Sequence, residues 1–450
     1  MLRKRTVIVG LDGVPYQLVR DLSQAGILPH IATLVKGGIF RQMASSIPEI
    51  SSVAWSSLIT GSNPGQHGIF GFTDLAPGTY RTVFPNYQSL RVEPFWERPA
   101  SGRSVILNVP ATYPAAPMNG VHVAGFVALD LAKATWPPSL LPLLKQWDYR
   151  VDVDTALVGK SLRLFLADLQ RTFEARLTAY RYLWSAEDWQ TFMLVLTGTD
   201  RLSHFLWDAY QDRTHPYHAA FIDYFRQIDA VIGEMLQSLR DDDVFVLLSD
   251  HGFEKLEKDV QINHVLQENG FLKFTVGANL VFVHVRMPPA QLRDMAEEST
   301  AFALDPARIY LHVKGRFPRG AVQPGDVEPL LRSLTALFAA LEIEGQKVIK
   351  RVYRKEEIYH GPFLDQAPDL VLLPNPGFNL RANIKARELW SRGEPGVRPQ
   401  RSGKHSQDNA FLLVGGNVGR GEPGVRPVPE TPSVSDVVGI LDQLCDIPSA

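Results

Sequence analysis

The amino-acid sequence predicts an α/β fold with a mostly parallel central sheet and a small subdomain inserted late in the chain. Three observations carry that prediction. Residues 7–11, 189–196 and 244–248 are short runs rich in aliphatic and β-branched side chains, the pattern of strands buried on both faces of a parallel sheet. Each run leads into an acidic residue, Asp12, Asp200 and Asp250 in turn, and ligands of open α/β sheets bind beyond the C-terminal strand ends. Between them, 161–184 and 216–239 carry apolar residues at helical spacing. The core is expected over 1–275 and 365–450, and the inserted α+β subdomain over 276–364.

A chain of 450 residues can bury a large core, as one domain with an insertion or as two domains. With 21% charged residues, a formal net charge of -2 and no long run of one sign, it lacks the electrostatic footprint of a protein that binds nucleic acid or acidic membranes. Small-molecule partners are expected instead. Cys445 is the single cysteine, which excludes an intramolecular disulfide and a cysteine-cluster metal site. The apolar run that follows Arg5 is too short for a signal-peptide core, and no stretch reaches the roughly 20 apolar residues that span a bilayer. A cytoplasmic protein is expected, of open oligomeric state.

Taken in order, 7–11 reads as the first strand, with Asp12 at its end and Gly13 permitting a sharp turn. The third glycine of a dinucleotide-binding fingerprint is missing after Gly10 and Gly13, and a carboxylate between them would repel a pyrophosphate. Helices follow at 16–25 and from Pro29 to Gly37. Val53, Ala54, Leu58 and Ile59 share one face of a third helix that stops at Gly61, which puts Ser51 at or just before its N-terminus. Ser51 then has two readings: an N-cap whose hydroxyl satisfies a backbone amide, or a nucleophile against which the helix N-terminus holds a phosphate.

Residues 104–109 and 121–127 read as strands, and the loop 108–114 between them is placed to wall a pocket. By position alone, Asn108 and Tyr113 are candidates for substrate binding. Asp200 and His204 stand four residues apart and share a helix face, as a metal pair requires; a purely structural pair reads the same. In Ser249-Asp250-His251-Gly252 an oxygen and a nitrogen ligand lie side by side, which suits zinc or manganese. The alternative there is a turn in which Asp250 caps the next helix and His251 faces solvent.

Further on, 260–266 reads as a short helix, 280–285 and 308–313 as strands, and 327–341 as the subdomain helix. The buried-strand pattern resumes at 368–373, is followed by a loop and then Gly403-Lys404-His405-Ser406, and returns at 409–415 before a last helix over 434–445. His215 and His218 have no acidic strand end beside them and read as surface residues. A string of eight residues starting at Arg392 recurs from Arg420, and we have no functional account of it.

In this order, Gly10-Leu11-Asp12-Gly13, Ser51, Thr60-Gly61, Pro64, His67-Gly68-Ile69, Asp200, His204, Ser249-Asp250-His251-Gly252 and Gly403-Lys404-His405 resemble the alkaline phosphatase superfamily, in particular its type I phosphodiesterase/nucleotide pyrophosphatase branch. The resemblance covers nearly the whole chain. It implies an alkaline-phosphatase-like three-layer α/β/α sandwich and two divalent metal ions. One would be held by Asp12, Asp250, His251 and the Ser51 oxygen, the other by Asp200, His204 and His405. Sets that mix imidazole and carboxylate suit Zn²⁺, with Mn²⁺ as the alternative.

The resemblance further implies cleavage of phosphodiester or nucleotide pyrophosphate bonds, with Ser51 attacking phosphorus to give a phosphoryl-enzyme intermediate that water hydrolyses. His67 would shape the loop behind the nucleophile. Many members carry threonine as nucleophile, and here Ser52 is a rival displaced by one residue. The sulfatase motif is missing after Ser51. The same machinery acting on monoesters or phosphonates, or as a phosphomutase, is the alternative. A non-catalytic scaffold should have lost ligands, because buried carboxylates without a cation are costly, and all seven ligand positions are filled.

Overall fold

The computed structural model describes residues 4–274, 292–392, 401–415 and 428–445. The strand expected at 280–285 and nearly all of both copies of the repeated string lie outside them. The chain divides into two units.

The first unit comprises Met1–Asn63, Asn86–Lys255 and Val397–Ala450. Its strands are β1 (Thr6–Leu11), β2 (Ile39–Met43), β3 (Ser104–Leu107), β4 (Gly120–Val123), β5 (Thr135–Trp136), β6 (Thr191–Leu196), β7 (Val244–Leu248), β8 (Gly252–Lys255), β9 (Gly403–Ser406) and β10 (Ala410–Gly415). Eight of them form one sheet in the order β2-β10-β7-β1-β6-β3-β4-β5, and β8 pairs with β9 apart from it. From β7 through β1, β6 and β3 to β4 the pairing is parallel; β10, β2 and β5 run antiparallel to their neighbours.

Successive residues of the central strands point to opposite faces. Val7, Val9 and Leu11 enter one core with Phe192, Leu194 and Leu247, whereas Ile8 enters another with Met193, Val195 and Val246. The longer helices are α1 (Tyr16–Gln24), α2 (Pro29–Gly37), α3 (Ser51–Thr60), α4 (Leu162–Ala186), α5 (Gly198–Gln211), α6 (His218–Gln237) and α7 (Val437–Leu444). Leu18, Ile31, Phe165, Leu202 and Phe225 bring α1, α2, α4, α5 and α6 to the first core. Trp55, Leu58, Val438 and Leu441 bring α3 and α7 to the second. The result is the three-layer α/β/α sandwich with a mostly parallel sheet.

Two strands end earlier than their sequence suggests. β3 stops at Leu107 because Asn108 takes a left-handed conformation, with φ 66°. β4 stops at Val123, after which the Gly125 amide bonds to the Val109 carbonyl at 3.0 Å. Residues 403–406, to which the sequence reading gave no secondary structure, form a strand, with His405 opposite Phe253 of β8.

The second unit comprises Pro64–Pro85 and Leu256–Gly396. Its core gathers Phe302, Ile309, Leu334, Phe338, Leu370 and Leu372. Four strands, Ala301–Leu304, Arg308–Leu311, Leu370–Pro374 and Ile349–Arg354, pair in that order as an antiparallel sheet. The stretch 368–373, read from sequence as a resumed buried strand of the core, therefore supplies Leu370–Pro374 to this smaller sheet. Val260, read as helical, lies in the strand Lys258–Gln261 opposite Leu380 and Trp390, and the helix begins only at Ile262. These pairings, and the bond from Arg308 to the Thr73 carbonyl at 2.6 Å, draw the unit more widely than 276–364. No helix among the described residues is long and apolar enough to cross a membrane.

Candidate metal and nucleophile site

β1 lies between β6 and β7 with Leu11 opposite Leu196 and Gly10 opposite Leu248. Three neighbouring strands therefore release the chain at one level. Asp12 follows β1, Asp250 follows β7, and Asp200 lies in the first turn of α5, just after β6. Asp12 and Asp200 are each 3% exposed and Asp250 is fully buried. Thr199 Oγ1 donates to the Asp12 carbonyl at 2.6 Å and to the Leu196 carbonyl at 2.9 Å, locking two of the strand ends together. Gly13 has φ +68°, and a Cβ there would stand 3.1 Å from the His251 ring and 3.2 Å from Asp200 Oδ1. Glycine at 13 is what lets the acidic and imidazole groups converge.

His251 follows Asp250, His204 lies one turn after Asp200 on α5, and His405 comes from β9. The Nδ1 atoms pair with backbone carbonyls: His204 with Gly403 at 3.1 Å, His251 with Gly252 at 3.0 Å and His405 with Glu49 at 2.9 Å. An Nδ1–H that donates to a carbonyl leaves the Nε2 lone pair for a metal. All three Nε2 atoms face the carboxylates. His251 Nε2 is 3.5 Å from Asp12 Oδ1 and 3.4 Å from Asp250 Oδ2; His405 Nε2 and His204 Nε2 are 3.0 Å and 3.4 Å from Asp200 Oδ1.

Ligand atoms of Asp12, Asp250 and His251, and likewise of Asp200, His251 and His405, lie within 4.8 Å of one another. His251 thus belongs to both groups, its ring stacked on His405 with centroids 3.7 Å apart. His204 joins the second group through His405, the two Nε2 atoms being 3.1 Å apart.

Burial, then the charges of Asp250 and Asp200, push the Asp12 carboxyl well above the usual range. Burial pushes Asp250 up to about 7. For Asp200 the upward push of burial is outweighed by His204, His405 and Arg201, which hold it well below the usual range. Burial keeps the three imidazoles below their ordinary value, and therefore neutral near pH 7. Asp250 Oδ2 is buried and accepts no hydrogen bond. Such an orphaned oxygen among mutually repelling carboxylates is costly unless a cation meets it, and three carboxylates with three neutral imidazoles are a donor set for Zn²⁺ or Mn²⁺.

Ser51 is the first residue of α3. Ile50, with extended φ and ψ, takes the capping position without a side-chain bond, so the N-cap reading of Ser51 fails. Its Oγ lies 3.2 Å from His251 Nε2 and 3.5 Å from Asp12 Oδ1. Ser52 Oγ, by contrast, is buried without a partner. Asn108 is fully buried. Its amide nitrogen donates to the Val195 carbonyl at 3.3 Å and its oxygen accepts from Tyr149 at 3.4 Å, so its polar atoms serve the sheet end. Tyr113 is half-buried; its carbonyl accepts from the Tyr87 amide.

His67 is buried and its Nδ1 accepts from the Ile69 amide at 3.1 Å, a local turn. His215 and His218 are half-buried rather than fully exposed, and both bond locally, to the Tyr217 amide and the Ala209 carbonyl.

Two neighbours escaped sequence reasoning. Trp55 Nε1 reaches Asp12 Oδ2 at 3.4 Å; its spacing of four from Ser51 was the available signal. Gly10 makes room for that indole, since a Cβ there would lie 2.4 Å from Trp55. Arg201 binds Asp200 Oδ2 through Nη1 at 2.8 Å, and nothing in the sequence marks it.

The model of the type I phosphodiesterase/nucleotide pyrophosphatase family matches residues 6–405. The fold is similar to that of phosphonoacetate hydrolase from Sinorhizobium meliloti 1021 in complex with phosphonoacetate, at 16% identity and a TM-score of 0.64 over 98% of this chain and 96% of that one. It is also similar to murine ectonucleotide pyrophosphatase/phosphodiesterase 5 in complex with AMP, at 14% identity and a TM-score of 0.57 over 99% and 96% of the two chains. The human form gives 13% identity and a TM-score of 0.57 over the same shares. The comparison with curated proteins gives no match.

Proposed function

The chain belongs to the type I phosphodiesterase/nucleotide pyrophosphatase family, and on that premise we propose that it is a two-metal hydrolase of phosphodiester or nucleotide pyrophosphate bonds with Ser51 as nucleophile. The observation that carries this reading is the convergence of Asp12, Asp200, His204, Asp250, His251 and His405 around a serine hydroxyl 3.2 Å from His251. Asp12, Asp250, His251 and Ser51 would hold one ion, and Asp200, His204 and His405 the other. When bound, divalent cations supply Lewis acidity that lowers the pKa of a hydroxyl and offsets charge on phosphoryl oxygens.

In this reading Ser51 gives up its hydroxyl proton to solvent and its Oγ forms a bond to phosphorus as the bond from phosphorus to the leaving oxygen breaks, and the departing group takes up a proton from water. Water then cleaves the phosphoserine and restores the hydroxyl. The position of Ser51 in the first turn of α3 turns the positive end of the helix toward the phosphoryl group.

Diester preference follows the family. Of the cations near the site, Arg201 is paired with Asp152 and Asp200 and Lys404 with Glu254 at 2.9 Å, while the charge of Arg401 also acts on His204. The second reading, hydrolysis of a phosphonate or monoester, uses the same residues; the chemistry named for the phosphonoacetate hydrolase of similar fold keeps it in view. A cytoplasmic setting, in keeping with a single cysteine, completes the proposal.

The test is hydrolysis of bis-p-nitrophenyl phosphate, p-nitrophenyl phosphate and phosphonoacetate by chelated enzyme reloaded with Zn²⁺ or Mn²⁺. Metal-dependent turnover favouring the diester supports the first reading. Preference for the monoester or phosphonate selects the second, and turnover that survives complete metal removal overturns both.

A further inference from the structure

The two groups of ligand atoms are held by unlike neighbours. Around Asp12 and Asp250 the donors are neutral: Trp55 Nε1 at 3.4 Å from Asp12 Oδ2 and the Gly13 amide at 3.2 Å from Asp250 Oδ1. Among the described residues, Asp250 Oδ2 has no hydrogen-bond partner. Asp200 is gripped by a cation instead, its Oδ2 accepting from Arg201 Nη1 at 2.8 Å while Oδ1 faces His405 and His204.

That guanidinium is itself clamped. Nε lies 3.2 Å and 3.0 Å from the two oxygens of Asp152, Nη2 lies 2.6 Å from Oδ2, and the Phe126 ring covers it with the centroid 4.4 Å away. Its side chain is 15% exposed. Two-point binding by Asp152 and stacking on Phe126 leave Arg201 little freedom to release Asp200.

We propose that Arg201 is a positioning residue that makes the Asp200–His204–His405 site the weaker of two cation sites, so that the Asp12–Asp250–His251 site fills first. The inference rests on the two-metal reading above. Two carboxylates held by neutral donors offer a divalent ion two acidic groups and an unengaged oxygen. One carboxylate with an oxygen already bonded to a guanidinium offers a single oxygen, and the fixed positive charge behind it opposes the incoming ion. Asp152 balances the charge of Arg201 but does not free the second oxygen of Asp200.

The experiment is titration of metal-free full-length protein with Zn²⁺ against a competing chromophoric chelator. Wild type should show two sites separated by about tenfold or more in affinity. Asp200→Asn should delete the weaker class and Asp250→Asn the tighter one. The paired change Asp152→Asn with Arg201→Gln, which keeps the net charge, should tighten the weaker site by about tenfold and move the tighter site much less.

Equal wild-type affinities overturn the proposal without any variant having to fold. So does loss of the tighter class in Asp200→Asn, or a weaker site indifferent to the paired change in a variant whose circular dichroism matches wild type. Absence of any Zn²⁺ binding refutes the two-metal reading itself, a result separate from equal affinities.

Discussion

The assignment of Ser51 over Ser52 turns on one residue of helical rotation. Ser51 Oγ is directed at His251 and Asp12, whereas Ser52 Oγ is buried away from any partner. Ser51→Ala should lower kcat by at least about 10³-fold while the protein keeps its bound metal, as measured by steady-state kinetics beside atomic absorption. Ser52→Ala should retain activity within a few-fold; the reverse pattern would move the nucleophile by one position. Asp12, Asp200, His204, Asp250 and His251 were legible in the sequence because strand ends and four-residue spacing announce them, whereas His405 came only from the resemblance to the family. Trp55 and Arg201 were not legible, since an indole at helical spacing reads as core and an arginine after an aspartate reads as surface. Their partners come from β1 and from Asp152, distances that periodicity does not encode.

At the scale of elements, β4 carries a buried group outside the site. His122 is fully buried, and neither ring nitrogen has a hydrogen-bond partner among the described residues. Tyr87 meets its ring edge-on at 5.4 Å. Burial lowers its pKa from 6.5 to about 3. In the unfolded chain the ring protonates first, so the stability it contributes is intact above pH 6.5 and is lost as the pH falls toward about 3. Between pH 6.5 and 5 that loss amounts to about 2 kcal/mol. His122→Leu should flatten the acid limb of a stability-versus-pH curve measured by urea unfolding; an unchanged slope would refute the assignment. Strand interiors were readable from their apolar runs, but their ends were not. The left-handed turn at Asn108 and the pairing of Val260 with Leu380 and Trp390 depend on partners distant in sequence. Pattern alone likewise could not say which sheet 370–374 would join, because a buried strand looks alike in either.

For the whole molecule, the proposed metal sites would couple ion binding to the fold. Three buried carboxylates at the ends of three adjacent strands, one with an orphaned oxygen, repel one another until a cation joins them. Chelation should therefore lower the Tm, and Zn²⁺ at a hundredfold excess over its Kd should restore about 3 kcal/mol, read by calorimetry. A Tm indifferent to chelator would mean that the cluster tolerates its own charge. The order of the acidic strand ends along the chain was legible; their adjacency was not, because it follows from the order β7-β1-β6, which no local pattern specifies.

The central place of β1 has a kinetic consequence. It is paired on both edges along its length, and Val7, Ile8 and Val9 are wholly inaccessible to solvent. Amides so placed exchange with deuterium only when the entire unit opens. Asp12 and Gly13 are the next residues along the chain. The floor of the site should thus be among the slowest parts of the protein to exchange, while the exposed loop around Leu129, 86% accessible, exchanges in seconds. Metal-free protein should show the same ranking, compressed: the ion can come and go by side-chain motion alone, over a backbone that stays shut.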